Sequence, residues 1–187
     1  MSIKKIVIGF TLSLLLVNGV AVAANSHKEL ITKWTHLAQK GDVKVQVNLG
    51  RTYFMGDRVP KNFKLAMKWF SLAAKQGNAE AQNMTGNMYD SGEGVLENDK
   101  TAVKWYTLAA KQGDEFGHYN LGRMYFSGSG VLTDYRRAYM WLNLAAYNGH
   151  FSASDFKVEV AEKMTRADIS KAQEMSTRCL ESNYTDC

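Results

Sequence analysis

The sequence contains no cluster of basic residues and, between residues 38 and 149, no strand-like alternation of apolar and polar residues. Its 23 lysines and arginines and 18 aspartates and glutamates are mixed along the chain, which gives a formal net charge of +5. Because nucleic-acid binding relies on clustered basic side chains, we expect no nucleic-acid partner. The missing alternation favours a helical fold over a β-rich one.

Motifs for catalysis or metal binding are also missing. The four histidines have no spacing typical of a metal site, and we interpret His27, His36, His118 and His150 as surface or cap residues. The carboxylates are scattered over predicted helical faces and loops, where solvated charge is the ordinary explanation. We therefore predict no catalytic residues, no metal and no cofactor.

The first 23 residues have the features of a signal peptide. Lys4 and Lys5 precede the uncharged apolar run Ile6–Val20, and small residues at positions 21 and 23 allow cleavage after Ala23 or one residue later. An uncleaved membrane anchor is the alternative, since the run is almost long enough to cross a bilayer. We predict cleavage, no stable membrane insertion afterwards, and a periplasmic or secreted protein.

The only two cysteines, Cys179 and Cys187, lie at the C-terminal end. In an exported protein an even number of cysteines usually means a bridge. We therefore predict a disulfide that ties the last helix to the tail, with two free thiols as the alternative. Two cysteines without a nearby histidine do not make a metal site.

A 36-residue unit occurs three times, in residues 38–73, 74–109 and 110–145. Such a period is typical of a solenoid, in which each unit buries its apolar face by stacking on its neighbours. Ten positions are identical in the three copies, and in the first copy they are Ala38, Gly41, Gly50, Tyr53, Gly56, Val59, Ala66, Trp69, Leu72 and Ala73.

Each unit is predicted to form two antiparallel helices. Helix A spans residues 43–55, 79–91 and 115–127, between an Asx cap such as Asp42 and a glycine such as Gly56. Helix B follows a second Asx cap and presents Ala66, Trp69, Leu72 and Ala73 on one face. A glycine inside helix A, such as Gly50, disfavours the helix by ~1 kcal/mol, so we expect the tryptophan of helix B to approach it closely.

The pattern A-x-x-G-(x)8-G-x-x-Y-x-x-G-x-x-V-(x)6-A-x-x-W-x-x-L-A-A resembles the Sel1-like repeat family, relatives of the tetratricopeptide repeats, over residues 38–149. The resemblance implies an all-α, right-handed solenoid of helix pairs. It also implies that the concave side, lined mainly by helix A, binds proteins or peptides. Exported bacterial members of this family are envelope scaffolds, regulators and host-interaction factors.

The ends of the chain are predicted to cap the solenoid. Residues 24–40 form an N-terminal capping helix with Leu30, Trp34 and Leu37 on one face, and the repeats occupy residues 41–149. Residues 150–187 form a degenerate repeat, a capping helix and a tail. That last helix starts at the T-x-x-D capping box of residues 165–168, and its buried side carries Ile169, Ala172, Met175 and Cys179.

One side of helix A faces away from the predicted core and is the candidate binding surface. Arginines and aromatics at exposed positions are typical of interface hot spots. The alternative is that the aromatics complete the packing between adjacent helices A. Arg51 and Arg123 occupy equivalent positions where the core requires no charge, so we expect both to be replaceable without loss of stability. The predicted partner-binding residues are Arg51, Phe54, Asn87, Asp90, Phe116, Tyr119, Arg123 and Phe126, with Val47 beside them.

These features predict a monomeric, non-enzymatic adaptor of the bacterial envelope that binds an unidentified protein or peptide on its concave surface. The alternative is a cell-wall-associated enzyme or ligand-binding protein with penicillin-binding or β-lactamase-like activity. Cysteine-rich members of the resembled family have been linked to penicillin binding, and residues 154–157 match the S-x-x-K motif. About one such match is expected by chance, its partner motifs are missing, and so is the cysteine pair per repeat.

Overall fold

The computed structural model describes residues 27–187, so the predicted signal peptide at residues 1–23 lies outside the described residues. Over the described part the chain forms nine α-helices and no strand, which confirms the all-α prediction. The helices are α1 (27–39), α2 (Val43–Met55), α3 (Phe63–Lys75), α4 (Ala79–Ser91), α5 (Asp99–Ala110), α6 (Glu115–Ser127), α7 (Tyr135–Tyr147), α8 (Ala153–Ala161) and α9 (Arg166–Glu181).

The helices A are α2, α4 and α6, and both of their ends follow from the repeated residues. At the start of each, an Asx side chain accepts a hydrogen bond from the backbone N–H three residues later, which satisfies a group that the helix leaves unpaired. At the end, a glycine adopts the left-handed conformation with φ between 69° and 77°. The predicted bounds of helix A are confirmed. The capping pairs are Asp42–Val45, Asn78–Ala81 and Asp114–Gly117.

The helices B are α3, α5 and α7, and each begins after a second Asx cap. The loop between helices A and B is closed by one backbone hydrogen bond, from the N–H of that cap to the carbonyl oxygen of the repeated tyrosine of helix A. The distance is 2.8 Å from Asn62 to Tyr53 and 2.9 Å from Asp134 to Tyr125. The loop therefore returns the chain antiparallel to helix A.

Helices A and B approach most closely at the glycine inside helix A. A Cβ atom added to Gly50, Gly86 or Gly122 would lie 2.6 Å from a side chain of helix B, too close for any real contact. The side chain that fills this space is Phe70, Tyr106 or Leu142. The prediction of close approach is confirmed, but the assignment to the tryptophan is wrong because the residue after it makes the contact.

The tryptophan and leucine of helix B lie at the edges of its buried face. Trp69 and Trp141 are buried, whereas Trp105 is only partly covered. The prediction for the leucine is wrong in two units, because Leu72 and Leu108 are exposed. A leucine six residues after Ala66 lies about 120° around the helix from it, outside the contact with helix A. Leu144 is buried because α9 packs on α7, and Cys179 of α9 belongs to the same hydrophobic cluster as Leu144.

Buried polar side chains connect each unit to the next in a row that we call the glutamine ladder. Gln46 donates to the carbonyl oxygen of Ala38 at 2.8 Å and accepts from Gln76 at 2.7 Å. Gln82 and Gln112 repeat this arrangement one unit later, with Gln82 donating to the carbonyl oxygen of Ala74. Because a buried amide must be paired to be stable, the ladder fixes each helix A between the helix before it and the turn after it.

The last rung of the ladder differs from the others. His118 replaces the glutamine, and its Nδ1 lies 3.3 Å from the side-chain nitrogen of Asn148. The imidazole is buried between the rings of Trp141 and Tyr184, so the prediction that His118 is a surface or cap residue is wrong. Burial lowers the pKa of His118 to about 4. The imidazole is therefore neutral in the folded protein at neutral pH.

The C-terminal tail folds back over this rung. Cys179 and Cys187 form a disulfide with their Cα atoms 4.8 Å apart, which confirms the predicted bridge. Within the loop that it closes, the hydroxyl of Tyr184 donates to the Asn148 side-chain oxygen at 3.0 Å. The predicted capping box is also present, since Thr165 accepts from the backbone N–H of Asp168 and donates to its carboxylate. At the other end of the molecule, Trp34 and Ile31 of α1 pack against the Trp69 cluster.

Replacement of Gly86 by alanine tests the contact between helices A and B. Alanine is the better helix former by about 1 kcal/mol, but its methyl group would lie 2.6 Å from the Tyr106 ring. We expect a net loss of about 1–3 kcal/mol in the free energy of unfolding, measured by urea denaturation. Ser91→Ala, at an exposed position of the same helix, is the control. A Gly86→Ala protein as stable as the parent would show that the contact does not hold the helices together.

Replacement of His118 by glutamine, the residue of the other rungs, tests the effect of its buried imidazole. In the unfolded chain the His118 imidazole binds a proton below pH 6.5, whereas in the folded chain it does so only near pH 4. Wild-type stability therefore falls as the pH falls through this range. Between pH 7 and pH 4 we expect the free energy of unfolding of the wild type to fall, relative to that of His118→Gln, by up to about 3 kcal/mol. Burial raises the pKa of Asp114 to about 6, which acts in the opposite direction. Asp114 is present in both proteins, so their difference isolates His118, and parallel pH profiles would contradict the assignment.

Candidate partner-binding surface

Helices A form one row, because side chains of each contact the next. We call the side of α2, α4 and α6 that carries the predicted binding residues, with the adjoining face of α8, the helix A surface. The eight predicted binding residues are all exposed or half-buried there, but Val47, which we expected beside them, is buried in the core. Their side chains are engaged in different ways, which divides the surface into a polar part and an aromatic part.

Two arginine–carboxylate pairs cross between units in the polar part. The Nε of Arg51 lies 2.6 Å from a carboxylate oxygen of Glu80 and joins α2 to α4. Arg123 pairs with Asp90 and joins α6 to α4. The Arg51 side chain is 52% exposed and that of Arg123 is 38% exposed, so the second pair is the better shielded from water. The two arginines are therefore not equivalent, although the repeat places them 72 residues apart in register.

The Arg123–Asp90 pair belongs to a network centred on Tyr106. The Tyr106 hydroxyl lies 2.8 Å from the side-chain oxygen of Asn87 and 3.4 Å from Asp90. Burial, together with the charge of Asp90, raises the pKa of Tyr106 well above its usual value. Burial alone would lower the pKa of Arg123, but the charge of Asp90 more than offsets this and raises it. Asn120 extends the network by donating to Asn87 at 3.1 Å.

Phe54 and Phe126 complete the internal packing rather than project freely. The Phe54 ring makes edge contacts with Phe63 and Phe70, at centroid distances of 5.4 and 6.4 Å. Phe126 lies 5.2 Å from Phe156 of α8. Phe54 thus packs on helix B of its own unit rather than on an adjacent helix A, whereas Phe126 packs towards the next helix along the row, α8.

The aromatic part of the surface lies where α6 meets the residues that precede α8. The Tyr119 ring stacks on His150 at 4.0 Å, and Phe116 contacts the same imidazole edge-on at 5.2 Å. Phe151 stacks on His150 at 5.1 Å while remaining 84% exposed. Burial lowers the pKa of His150, which favours the neutral imidazole in this stack, although the charge of Glu115 acts in the opposite direction. Phe116 is 45% exposed, which makes the cluster a half-open apolar surface.

A shallow depression of about 430 Å³ lies beside Tyr119 and is too open to enclose a ligand fully. It lies between α6 and α8 and is lined by Tyr119, Arg123, Ser152, Asp155, Phe156 and Glu159. Two of these residues were predicted from the repeat pattern. The four contributed by residues 152–159 were not predicted as binding residues, because the repeat pattern fades after Gly149 and gives no register for them.

The potential metal ligands and the S-x-x-K match can be located in the described part of the chain. Among residues 27–187 there is no group of three or more histidine, cysteine, aspartate or glutamate side chains placed to hold a metal ion. Ser154 of the S-x-x-K match is exposed on α8. The amine of Lys157 instead donates to the Asn143 side chain at 2.9 Å and lies over the Tyr139 ring. Of the helices described, none is long and apolar enough to cross a membrane.

Paired helices that stack through repeated contacts define an α-solenoid, and comparison with known proteins identifies its class. A family model described as the Sel1 repeat matches residues 43–78, 79–114 and 116–150, more than half of the chain. The chain belongs to the Sel1 repeat family, and the predicted resemblance is confirmed. Proteins of this family are protein–protein interaction modules and typically non-enzymatic scaffolds.

Solved structures support this assignment. A protective antigen of uropathogenic Escherichia coli with an SLR fold has a TM-score of 0.76 and 29% identity; the match covers 84% of this chain and 34% of that one. This chain thus spans about a third of its length. A Sel1 repeat protein from Oxalobacter formigenes has a TM-score of 0.61 and 34% identity, over 69% of this chain and 97% of that one.

A third structure shows the fold alone. Cysteine-rich protein B of Helicobacter pylori has a TM-score of 0.56 at 17% identity, over 71% of this chain and 96% of that one. No curated protein sequence gave a significant match to the chain.

Separate replacement of Arg123 and Arg51 by alanine tests the difference between the two ion pairs. Loss of Arg123 leaves the half-buried Asp90 carboxylate without its partner, so we expect a loss of about 1–2 kcal/mol in unfolding free energy. Loss of the exposed Arg51 should change it by less than about 0.5 kcal/mol. In an Asp90→Asn background the Arg123 effect should shrink, as a double-mutant cycle measured by urea denaturation would reveal. Equal effects of the two arginines would contradict this account.

Proposed function

We propose that this protein is an exported, non-enzymatic adaptor that binds a protein or peptide partner on the helix A surface. The observation that carries the proposal is the half-open aromatic cluster of Phe116, Tyr119, His150 and Phe151, which lies at the end of the row of helices A. Exposed aromatic side chains held by rigid helices are typical anchors of protein interfaces. The Sel1 repeat family to which the chain belongs consists of interaction modules.

Two features support export. Residues 1–23 have the charge, apolar run and small residues of a cleavable signal peptide. The Cys179–Cys187 disulfide is of the kind that persists in the periplasm or outside the cell. Together these observations favour a periplasmic or secreted adaptor. A monomer suffices because α6, α8 and the residues between them form the aromatic and acidic region within one chain.

A penicillin-binding or β-lactamase-like function receives no support from the site. Nucleophilic serine catalysis requires a base within hydrogen-bond reach of the hydroxyl. Lys157, the lysine of the S-x-x-K match, is instead held by Asn143 and Tyr139. The Sel1 repeat assignment also favours a scaffold over an enzyme.

Site-specific photocrosslinking in living cells of the native host tests the proposal. A photoreactive phenylalanine analogue is placed at position 116 in one variant and at position 108 in another. Phe116 lies on the helix A surface and Leu108 on helix B, and the two side chains have the same exposure of 45%. We expect irradiation to give a discrete protein adduct at position 116 and none at position 108. The same adducts at both positions, or none at position 116, would contradict binding on the helix A surface.

A further inference from the structure

The depression between α6 and α8 carries two carboxylates that no basic side chain neutralises. Asp155 and Glu159 are both exposed and lie four residues apart on α8, so that they share one face of the helix. Within residues 27–187, the ion pairs involve other carboxylates, and neither Asp155 nor Glu159 takes part in one. Neither residue caps a helix; Asp155 lies in the first turn of α8, where its negative charge favours the helix modestly, and Glu159 lies beyond that turn.

The balance of charge makes the depression acidic. Arg123 is the only basic residue in its lining, and its guanidinium is already paired with Asp90. Counting that pair as neutral, Asp155 and Glu159 leave two negative charges over the depression. The chain as a whole has a net charge of +5. An acidic site on a basic protein would attract a cation and repel an anion.

The walls of the depression are aromatic. Tyr119 and Phe156 line it with their ring centroids 6.0 Å apart, and Phe126 packs behind Phe156. Aromatic faces next to carboxylates suit a guanidinium or ammonium group, which gains cation–π attraction in addition to the ion pair. The exposed rings of Phe116 and Phe151 share His150 with Tyr119 and provide an apolar surface beside the acidic one.

We propose that this depression receives a lysine or arginine side chain of the partner, within a peptide segment whose neighbouring apolar residue rests on Phe116 and Phe151. The inference rests on the proposed function, because it specifies the chemistry of a partner that binds the helix A surface. Two carboxylates pair with the cation, the aromatic walls contact it, and the apolar surface fixes the position of the adjoining residue. The partner is thus a basic, partly apolar segment rather than an acidic one.

Selection from a phage-displayed library of random dodecapeptides on the exported protein tests the inference. We expect enriched peptides to combine lysine or arginine with an aromatic or aliphatic residue. A fluorescein-labelled copy of the most enriched peptide is then titrated with each variant by fluorescence polarisation. The double variant Asp155→Asn/Glu159→Gln should weaken binding about tenfold and reduce its dependence on salt.

The control removes the same charge at another place. Glu93→Gln/Glu97→Gln deletes two carboxylates from the loop between α4 and α5, and should leave the affinity unchanged. Thermal melting of both double variants should stay close to that of the parent, since none of the four side chains forms an ion pair within the described residues. Enrichment of peptides without basic residues, equal loss in both double variants, or no enrichment at all would overturn the inference.

A third variant separates this inference from the proposed function. Phe116→Ser removes the apolar anchor without changing charge. If an enriched peptide loses affinity for Phe116→Ser but binds Asp155→Asn/Glu159→Gln normally, the helix A surface is the binding site and the basic-segment inference fails. If neither variant weakens binding, both the proposed function and the inference fail.

Discussion

The close contact between helices A and B within each unit determines most of this structure. Gly50, Gly86 and Gly122 leave the middle of helix A without a side chain, and a large residue of helix B fills the space. The missing side chain weakens the isolated helix, but it allows the two helices to approach and bury Phe70, Tyr106 and Leu142 completely. Because the glycine recurs every 36 residues, the same contact recurs in each unit and gives all units one geometry.

Stacking of these units then produces the helix A surface. The glutamine ladder sets how each helix A lies against the previous unit, since Gln46 and Gln82 bond both the helix before them and the turn after them. On the opposite edge, the Arg51–Glu80 and Arg123–Asp90 pairs connect successive helices A. Most polar candidates in the row are thus already satisfied within the chain. The surface left for a partner is the aromatic and acidic region at the junction of α6 and α8.

Local signals in the sequence predicted the helices well. The caps and terminal glycines act within one turn of the chain, so Asp42, Gly56 and their equivalents were sufficient to locate helix A. The disulfide was predictable because two cysteines in an exported protein have one pairing. Contacts between residues far apart in the chain were not predictable in this way. Trp69 and Phe70 are adjacent, apolar and about 100° apart on helix B, so the pattern does not reveal which one meets Gly50.

The candidate site was predictable only where the repeat continues. Phe116, Tyr119 and Arg123 were found because they occupy repeated positions of helix A. The partners of Arg51 and Arg123 lie 29 and 33 residues away in the chain, and their contacts depend on how one unit is rotated against the next. Asp155, Phe156 and Glu159 lie beyond the last consensus residue, where only the three-dimensional packing of α8 on α7 brings them to the surface.

Native-state hydrogen exchange at the centres of helices A tests most directly whether the repeated contact makes one cooperative solenoid. The measurement follows the backbone amides around Gly50, Gly86 and Gly122 at increasing urea concentration. We expect the three sets to converge on one opening free energy, because no unit buries its apolar face without its neighbours. If the amides around Gly86 open separately, with a free energy well below that of the amides around Gly122, the units fold independently and the account is wrong.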